Sequence, residues 1–193
     1  MQNPPMETQL APGFLIAAPH LSDPFFRQAV VLLLEHDNEE GTFGIIINRS
    51  ARITLRDVFE ELKIDLSPEW TDESLPPVME GGPVTPELGW VIHSPDWHCE
   101  QTRVFGGTTA VTSSREILEV IAHREGPAVW WFCLGYAGWA AGQLVGEIRE
   151  GAWLHLSYED ELIFRVPPAE RWHTAISRLG IDPLCLSPVV GGA

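Results

Sequence analysis

Eight polar residues are the candidates for chemistry in this sequence, because each falls at a predicted strand end or in a turn. Side chains in such places can converge where a sheet opens, and can then support acid–base chemistry or bind a small ligand. They could equally be ordinary caps and loop anchors, each satisfied by backbone groups. We expect a ligand or enzyme site if His36, Asn48, Arg115 and Tyr136 surround one concavity. The full set is Asp23, Arg27, His36, Asn48, Ser113, Arg115, Tyr136 and Gln143.

Motifs that carry a reaction by themselves are missing from the sequence. It has no GxSxG, SxxK or HExxH for hydrolysis, and neither GxGxxG nor GxxxxGK[ST] for a nucleotide. His93, His98 and Cys99 could supply two or three zinc ligands, but a structural site needs four and no second pair follows. We therefore expect no catalytic residue, no metal and no cofactor.

The charge balance excludes some partners and favours others. Against 27 acidic residues stand 12 basic ones, giving a formal net charge of −15 that repels polyanions. Direct nucleic-acid binding is unlikely on this count, since it begins with a basic face and the arginines here are dispersed. The acids form two clusters, one over residues 35–40 and one over 57–80. Each cluster is either a solvated face or a surface for a basic protein partner.

The cysteine pattern and the start of the chain predict a cytoplasmic protein with a loose tail. Cys99, Cys133 and Cys185 are odd in number and scattered, and no basic-then-apolar leader precedes them. Residues 1–11 are rich in proline and polar side chains, which predicts a flexible tail. The uncharged run 127–146 has the length of a membrane span, but its glycines and Gln143 make it weakly apolar. We predict no membrane segment.

Hydrophobic periodicity predicts strands and helices in alternation. In the uncharged run we predict a buried strand that ends at Gly135, followed by a helix with Gly138, Gly142 and Gly146 along one face. Thr54 with Asp57, and Ser113 with Glu116, resemble capping boxes of two further helices. A last helix begins at Pro168 and stops at Gly180. Strands are predicted at 14–18, 29–35, 43–48, 78–80, 89–93, 103–105, 110–112, 153–156 and 162–166.

An ordered set of short motifs resembles the YqgE/AlgH family of bacterial proteins over residues 12–188. The first half contains Asp23-Pro24-Phe25-Phe26-Arg27, Glu35-His36, Gly44-Ile45-Ile46-Ile47-Asn48-Arg49 and Gly81-Gly82-Pro83. The second contains Thr112-Ser113-Ser114-Arg115-Glu116, Leu134-Gly135-Tyr136-Ala137-Gly138-Trp139, Gly142-Gln143-Leu144 with Glu147, Trp153, and Arg171-Trp172. Ser50 departs from the pattern, which has proline after Asn-Arg.

The resemblance implies an α+β fold in a single compact domain over residues 12–190, with two intertwined subdomains as the alternative. Its sheet is expected to be branched and mixed, partly closed into a small barrel and flanked by helices. Family members are mostly described as uncharacterised, and one branch was named as a proposed transcriptional regulator of alginate synthesis. We expect a noncatalytic regulatory or protein-interaction module whose surface is the acidic loop region with the Gly81–Pro83 turn. The alternative is the ligand or enzyme site at the sheet ends. The oligomeric state is left open.

Overall fold

Buried runs of branched and aromatic residues build a nine-stranded sheet in the computed structural model, which describes residues 10–181. The predicted tail, apart from residues 10 and 11, lies outside the described residues, as does Cys185. The strands are β1 (Gly13–Ala17), β2 (Val30–Asp37), β3 (Gly41–Ile46), β4 (Met79–Glu80), β5 (Val84–His93), β6 (Arg103–Phe105), β7 (Thr109–Thr112), β8 (Trp130–Trp139) and β9 (Trp153–Ser157). The helices are α1 (Leu55–Leu62), α2 (Arg115–Ala122), α3 (Gln143–Arg149), α4 (Asp160–Phe164) and α5 (Arg171–Arg178), the last preceded by a 3-10 turn over Pro168–Glu170.

The sheet is branched, mixed and curled. Its order is β6-β7-β5-β8-β3-β2-β1-β9, with antiparallel neighbours throughout, and β4 adds to β8 in parallel as a third neighbour. The two ends of this order approach each other, because Tyr158, just after β9, donates from Oη to Thr109 Oγ1 of β7 at 2.6 Å. The result is the half-barrel with flanking helices that the resemblance implies. The division into two intertwined subdomains stays a prediction.

Three apolar clusters fill the structure, one inside the half-barrel and two outside it. The interior cluster joins strand residues such as Phe14, Leu32 and Ile45 to Leu162 and Trp172 of α4 and α5. Outside, α1 and α2 pack on the face of β5 and β8, and α3 packs near β1, β2 and β3. The α4–α5 segment therefore closes one end of the half-barrel, and side chains of the strands fill the rest of the interior.

The uncharged run folds differently from its prediction. β8 does not end at Gly135 but continues to Trp139, so Gly138 lies in a strand. Gly135 has a φ of +72°, and a Cβ there would lie 2.4 Å from the carbonyl oxygen of Gly82. The glycine thus permits a close approach of two chain segments within the sheet. The predicted helix face was also wrong, because Gly142 is the N-cap of α3 and a Cβ on Gly146 would meet open space.

Two further predictions need correction, whereas the capping box of α1 is confirmed by reciprocal bonds between Thr54 and Asp57. Residues 162–166 are not a strand: α4 covers Asp160–Phe164, because consecutive Leu162 and Ile163 are both buried and the acids of its first turn suit a helix start. The N-cap of α2 is Ser114, not Ser113, and its side chain makes no capping bond. Within residues 10–181, no helix combines the length and hydrophobicity needed to cross a bilayer.

The segment Gly81–Pro83, predicted as a turn and as part of the interaction surface, connects β4 to β5 and is mostly buried, and its role in binding stays a prediction. Gly81 and Gly82 are buried, and the amide of Gly81 donates to the Leu134 carbonyl while its own carbonyl accepts from Ile46. The segment is thereby fixed between β3 and β8, and Pro83 alone is exposed.

Candidate functional site

Three of the predicted site residues hold the loop between β1 and β2. Asp23 Oδ1 accepts the backbone N–H groups of Phe25 and Phe26 at 2.8 and 2.9 Å. Asn48 accepts from the amide of Val30 and donates to the Gln28 carbonyl, each at 2.8 Å. Arg27 lies in the same loop, where its carbonyl accepts from the Arg49 guanidinium at 3.0 Å. These contacts order the backbone of the loop.

Arg115 and Gln143 act at helix ends. Arg115 pairs with Glu119 at 2.7 Å within α2 and donates to the Leu62 carbonyl at 2.8 Å, which ties α2 to α1. Gln143 Oε1 accepts the amide of Ala140, and its Nε2 donates to Glu147 Oε1 at 2.8 Å. Both side chains therefore have the anchoring contacts that ordinary caps make.

His36 and Tyr136 are the two members of the predicted quartet that the structure brings together. Both line a hairpin groove of about 540 Å³ beside the β2–β3 turn, which also includes Asp37, Glu40 and Trp139. His36 Nδ1 lies 2.6 Å from Thr42 Oγ1. Asn48 and Arg115 are bonded to other parts of the chain, so these four residues do not surround one concavity.

Ser113 lines a second concavity, the mouth groove, where the half-barrel is open between β2 and β6. The groove has a volume of about 340 Å³ and adjoins the hairpin groove, since Glu35 and Phe43 line both. The ring of Phe43 lies 5.1 Å from that of Trp90 and 5.0 Å from that of Tyr136, forming an aromatic floor. The full lining is Leu34, Glu35, Phe43, Trp90, Gln101, Arg103, Phe105, Val111 and Ser113.

Acidic side chains line the hairpin groove, and one of them, Glu35, also lines the mouth groove. Glu35 forms an ion pair with Arg103, and the two exposed side chains span the mouth groove. The backbone N–H groups of Glu40 and Glu39 donate to Asp37 and hold the pKa of its carboxyl below its usual value. With the described residues, Asp37, Glu39 and Glu40 form no ion pair. We refer to Glu35, Asp37, Glu39 and Glu40 as the rim acids.

The sequence did not single out Trp90, the residue at the centre of the aromatic floor. Its indole Nε1 is buried and has no hydrogen-bond partner among the described residues. Indole N–H groups in protein interiors nearly always have an acceptor, so this donor is unusual. The one available signal was the alternation of side chains along a strand. It places Trp90 and Phe43 on the same strand faces as smaller buried residues, and it does not show whether the two aromatic side chains line a groove or belong to the core.

Glu147 belongs to one of the motifs that resemble the family, but its contacts were not predicted. Its Oε2 accepts the indole N–H groups of Trp139 and Trp153 at 2.9 and 2.8 Å. The Gln143–Glu147 spacing of four residues on a helix would have indicated that the two side chains are neighbours. Their tryptophan partners come from different strands and could not be inferred from spacing.

His93, one of the two histidines considered as zinc ligands, is buried and hydrogen-bonded in the interior. His93 is fully buried, with Nδ1 donating to the Ser94 carbonyl at 2.8 Å and Nε2 lying 2.9 Å from Thr112 Oγ1. Burial lowers the pKa of His93, against smaller opposing effects of the Ser94 bond and the Asp96 charge. Among the described residues, no group of three or more His, Cys, Asp or Glu side chains is placed to hold a metal ion.

The fold defines the class, that of α+β half-barrel proteins. In this chain α4 and α5 pack in one end of the half-barrel and an aromatic groove lies at its opening. The AlgH-like family model, DUF179, matches residues 14–184, and the chain belongs to this family. It is 42% identical to a UPF0301 protein of Thioalkalivibrio sulfidiphilus, covering 93% of this chain and 95% of that one. It is 39% identical to a UPF0301 protein of Photobacterium profundum, with coverage of 93% and 97%.

Two solved structures share the architecture. The solution structure of the AlgH protein from Pseudomonas aeruginosa matches with a TM-score of 0.78 and 37% identity over 100% of both chains. The crystal structure of protein DIP2367 from Corynebacterium diphtheriae matches with a TM-score of 0.66, covering 96% of this chain and 92% of that one. At 20% identity, the second likeness shows the fold alone.

Proposed function

We propose that this protein is a noncatalytic cytoplasmic interaction module that binds a basic partner protein through its rim acids. The observation that carries the proposal is the placement of those acids. Glu35, Asp37 and Glu40 line the hairpin groove beside the mouth groove, and Asp37, Glu39 and Glu40 form no ion pair with the described residues. Most residues with catalytic potential, in contrast, have structural hydrogen bonds. A role in regulation would run through the partner, because a net charge of −15 opposes direct contact with DNA.

The proposal is tested by neutralising the rim acids together, as Glu35→Gln, Asp37→Asn, Glu39→Gln and Glu40→Gln. The control neutralises four exposed acids elsewhere, Glu60, Glu61, Asp65 and Glu73, with the same change in net charge. We expect a pull-down partner that the control retains, that the rim variant loses, and that dissociates as salt screens the charges. Partners that bind equally well to the rim variant, or that ignore ionic strength, would contradict the proposal.

A second candidate function is small-ligand binding in the mouth groove. Its volume of about 340 Å³ and its aromatic floor with a few polar groups are typical of small-molecule sites. A thermal-shift screen against nucleotides, metals and metabolites tests it, because a ligand at about 100 times its dissociation constant adds about 2.7 kcal/mol of stability. A true hit should be lost when Trp90 or Phe43 is replaced by Ala, and a hit retained by both variants binds elsewhere.

A further inference from the structure

The mouth groove lies between two strand edges that have no paired strand within residues 10–181. β6 is the terminal strand of the sheet and pairs with β7 on one side only. β2 is edge-like in its second half, because β1 pairs with residues 30–33 and stops there, whereas β3 pairs as far as Asp37. An unpaired edge exposes backbone N–H and C=O groups that can accept another strand.

Within the described sheet, β6 and β2 are connected across the opening by a side-chain contact and by no backbone pairing. Arg103 of β6 forms its ion pair with Glu35 of β2 across the opening, and both side chains are exposed. Exposed pairs of this kind contribute little to stability, so an entering chain can displace them at small cost. Val104, also on β6, is 55% exposed, which is unusual for a valine in a strand. The edge therefore presents both open backbone and an apolar side chain.

We propose that the mouth groove accepts an extended segment of a basic protein, which adds to β6 as a further strand and narrows the opening of the half-barrel. This inference rests on the proposed function and specifies how the partner binds. Strand addition gains affinity from main-chain hydrogen bonds and specificity from alternate side chains. Here Arg103 and Phe105 line the groove while Val104 lies between them in the strand, so alternate residues of the added strand enter the groove.

The chemistry of the groove defines the segment that fits. Its floor of Phe43, Trp90 and Phe105 suits apolar side chains. Glu35 in its wall, and Asp37 and Glu40 in the adjoining hairpin groove, suit arginine or lysine next to the apolar stretch. The occupant is therefore a strand-forming segment of alternating apolar residues flanked by basic ones.

The probe is a synthetic heptapeptide, two arginines followed by alternating valine and threonine. One control peptide carries glutamates in place of the arginines, and a second carries N-methyl groups at alternate positions, which block the ladder bonds of one edge. Binding is followed by amide shifts and hydrogen exchange at Arg103, Val104 and Phe105 and by the indole N–H signal of Trp90. We expect saturable binding with slowed exchange on β6, weakened about tenfold or more in both controls.

Matched protein variants locate the binding. Val104→Lys places a repelling charge on the edge, and Val129→Lys makes the same change at a valine that is 42% exposed and outside the groove. We expect about tenfold weaker binding for V104K and no change for V129K. A dimer that V104K dissociates would identify a second copy of this chain as the occupant and would overturn the inference.

The outcomes separate this inference from the proposed function. If the N-methylated peptide binds as well as the plain one, while neutralising the rim acids abolishes both, the acidic surface binds basic chains without strand addition. If the plain heptapeptide does not bind at millimolar concentration, the inference also fails, and the pull-down with the rim variant still decides the proposed function.

Discussion

The two ends of the half-barrel handle buried polar groups in opposite ways. At the plugged end, the fully buried Arg171 donates to the carbonyls of Val166, Ile47 and Ile163, and its guanidinium lies 4.7 Å from the ring of Trp131. At the mouth groove, the Trp90 indole N–H has no acceptor among residues 10–181, and the ion pair of Arg103 is exposed. The same strands serve both ends, since Phe43 lies near the start of β3 and Ile47 just after its end.

The plugged end contributes to the stability of the fold, whereas the mouth groove retains the capacity to bind. Burial lowers the pKa of Arg171 to about 10, a sign that the charge is costly there and is retained because three carbonyls need its donors. Polar groups satisfied in this way make a rigid end with nothing left to bind. At the mouth groove, in contrast, Val104 and the Arg103–Glu35 ion pair are exposed to an incoming chain. The mutations below compare the two situations.

The largest effect is expected for Arg171→Met, which keeps the bulk of the side chain and removes its donors. Three buried carbonyls lose their partner, and although the charge is no longer buried, we expect a net loss of about 3 kcal/mol in the free energy of unfolding. Urea denaturation measures it. The control is Arg178→Met on the same helix, where the partly exposed ion pairs with Glu159 and Glu161 contribute about 1 kcal/mol or less. Equal losses in the two variants would refute the special role of Arg171.

Glu147 allows the cost of an unpartnered indole to be measured directly. Glu147→Leu leaves the N–H groups of Trp139 and Trp153 in the condition of Trp90, and should cost about 2 to 3 kcal/mol. Glu147→Gln retains an acceptor oxygen and should cost about 1 kcal/mol. Chemical denaturation of both variants gives the comparison, and a leucine variant as stable as the glutamine variant would mean that unpartnered indoles are tolerated throughout this structure.

The sequence predicted the fold well where one local signal was decisive. The Thr54 capping box and the β2–β3 hairpin follow from cap chemistry and from apolar runs around an acidic turn, and both are present. The prediction for the uncharged run was wrong in detail. Glycines at a spacing of four fit a helix face, but they fit equally well a strand that another chain segment approaches closely at Gly135. Only the neighbouring chain at Gly82 decides between them, and that contact is not local.

The candidate site could be predicted only in part for a related reason. The rim acids were visible as a charge cluster, because neighbouring residues of one loop remain neighbours in space. The mouth groove depends on how far the sheet curls, which brings Arg103 to Glu35 across 68 positions of sequence. Trp90 belongs to an ordinary strand pattern, and nothing local indicates that its N–H lacks an acceptor.

His93 is a second buried polar residue with partners for all its polar atoms, and its pKa makes the free energy of unfolding depend on pH. Because burial lowers its folded-state pKa below 6.5, the unfolded chain takes up the proton first, and stability is lost as pH falls below about 6.5. We expect the free energy of unfolding to fall between pH 6.5 and 5, and His93→Gln should lack this part of the loss. Asp57, whose pKa is lowered by bonds from Thr54, loses its contribution only below about pH 3.8, outside this window. Identical pH profiles for the two proteins would exclude His93 as the cause.

The smallest effect is expected at the mouth groove itself, for Trp90→Phe. The change removes apolar contact, which destabilises, but it also removes a buried donor that has no acceptor, which stabilises, so the net change should stay within about 1 kcal/mol. Trp131→Phe is the matched control, because Trp131 is also half-buried but donates to the Ile163 carbonyl at 3.0 Å and contacts Arg171. That variant should lose about 2 kcal/mol, since a carbonyl and a cation each lose a partner. If denaturation shows the Trp90 variant to be the less stable of the two, its N–H is satisfied in solution, and the contrast between the plugged end and the mouth groove is wrong.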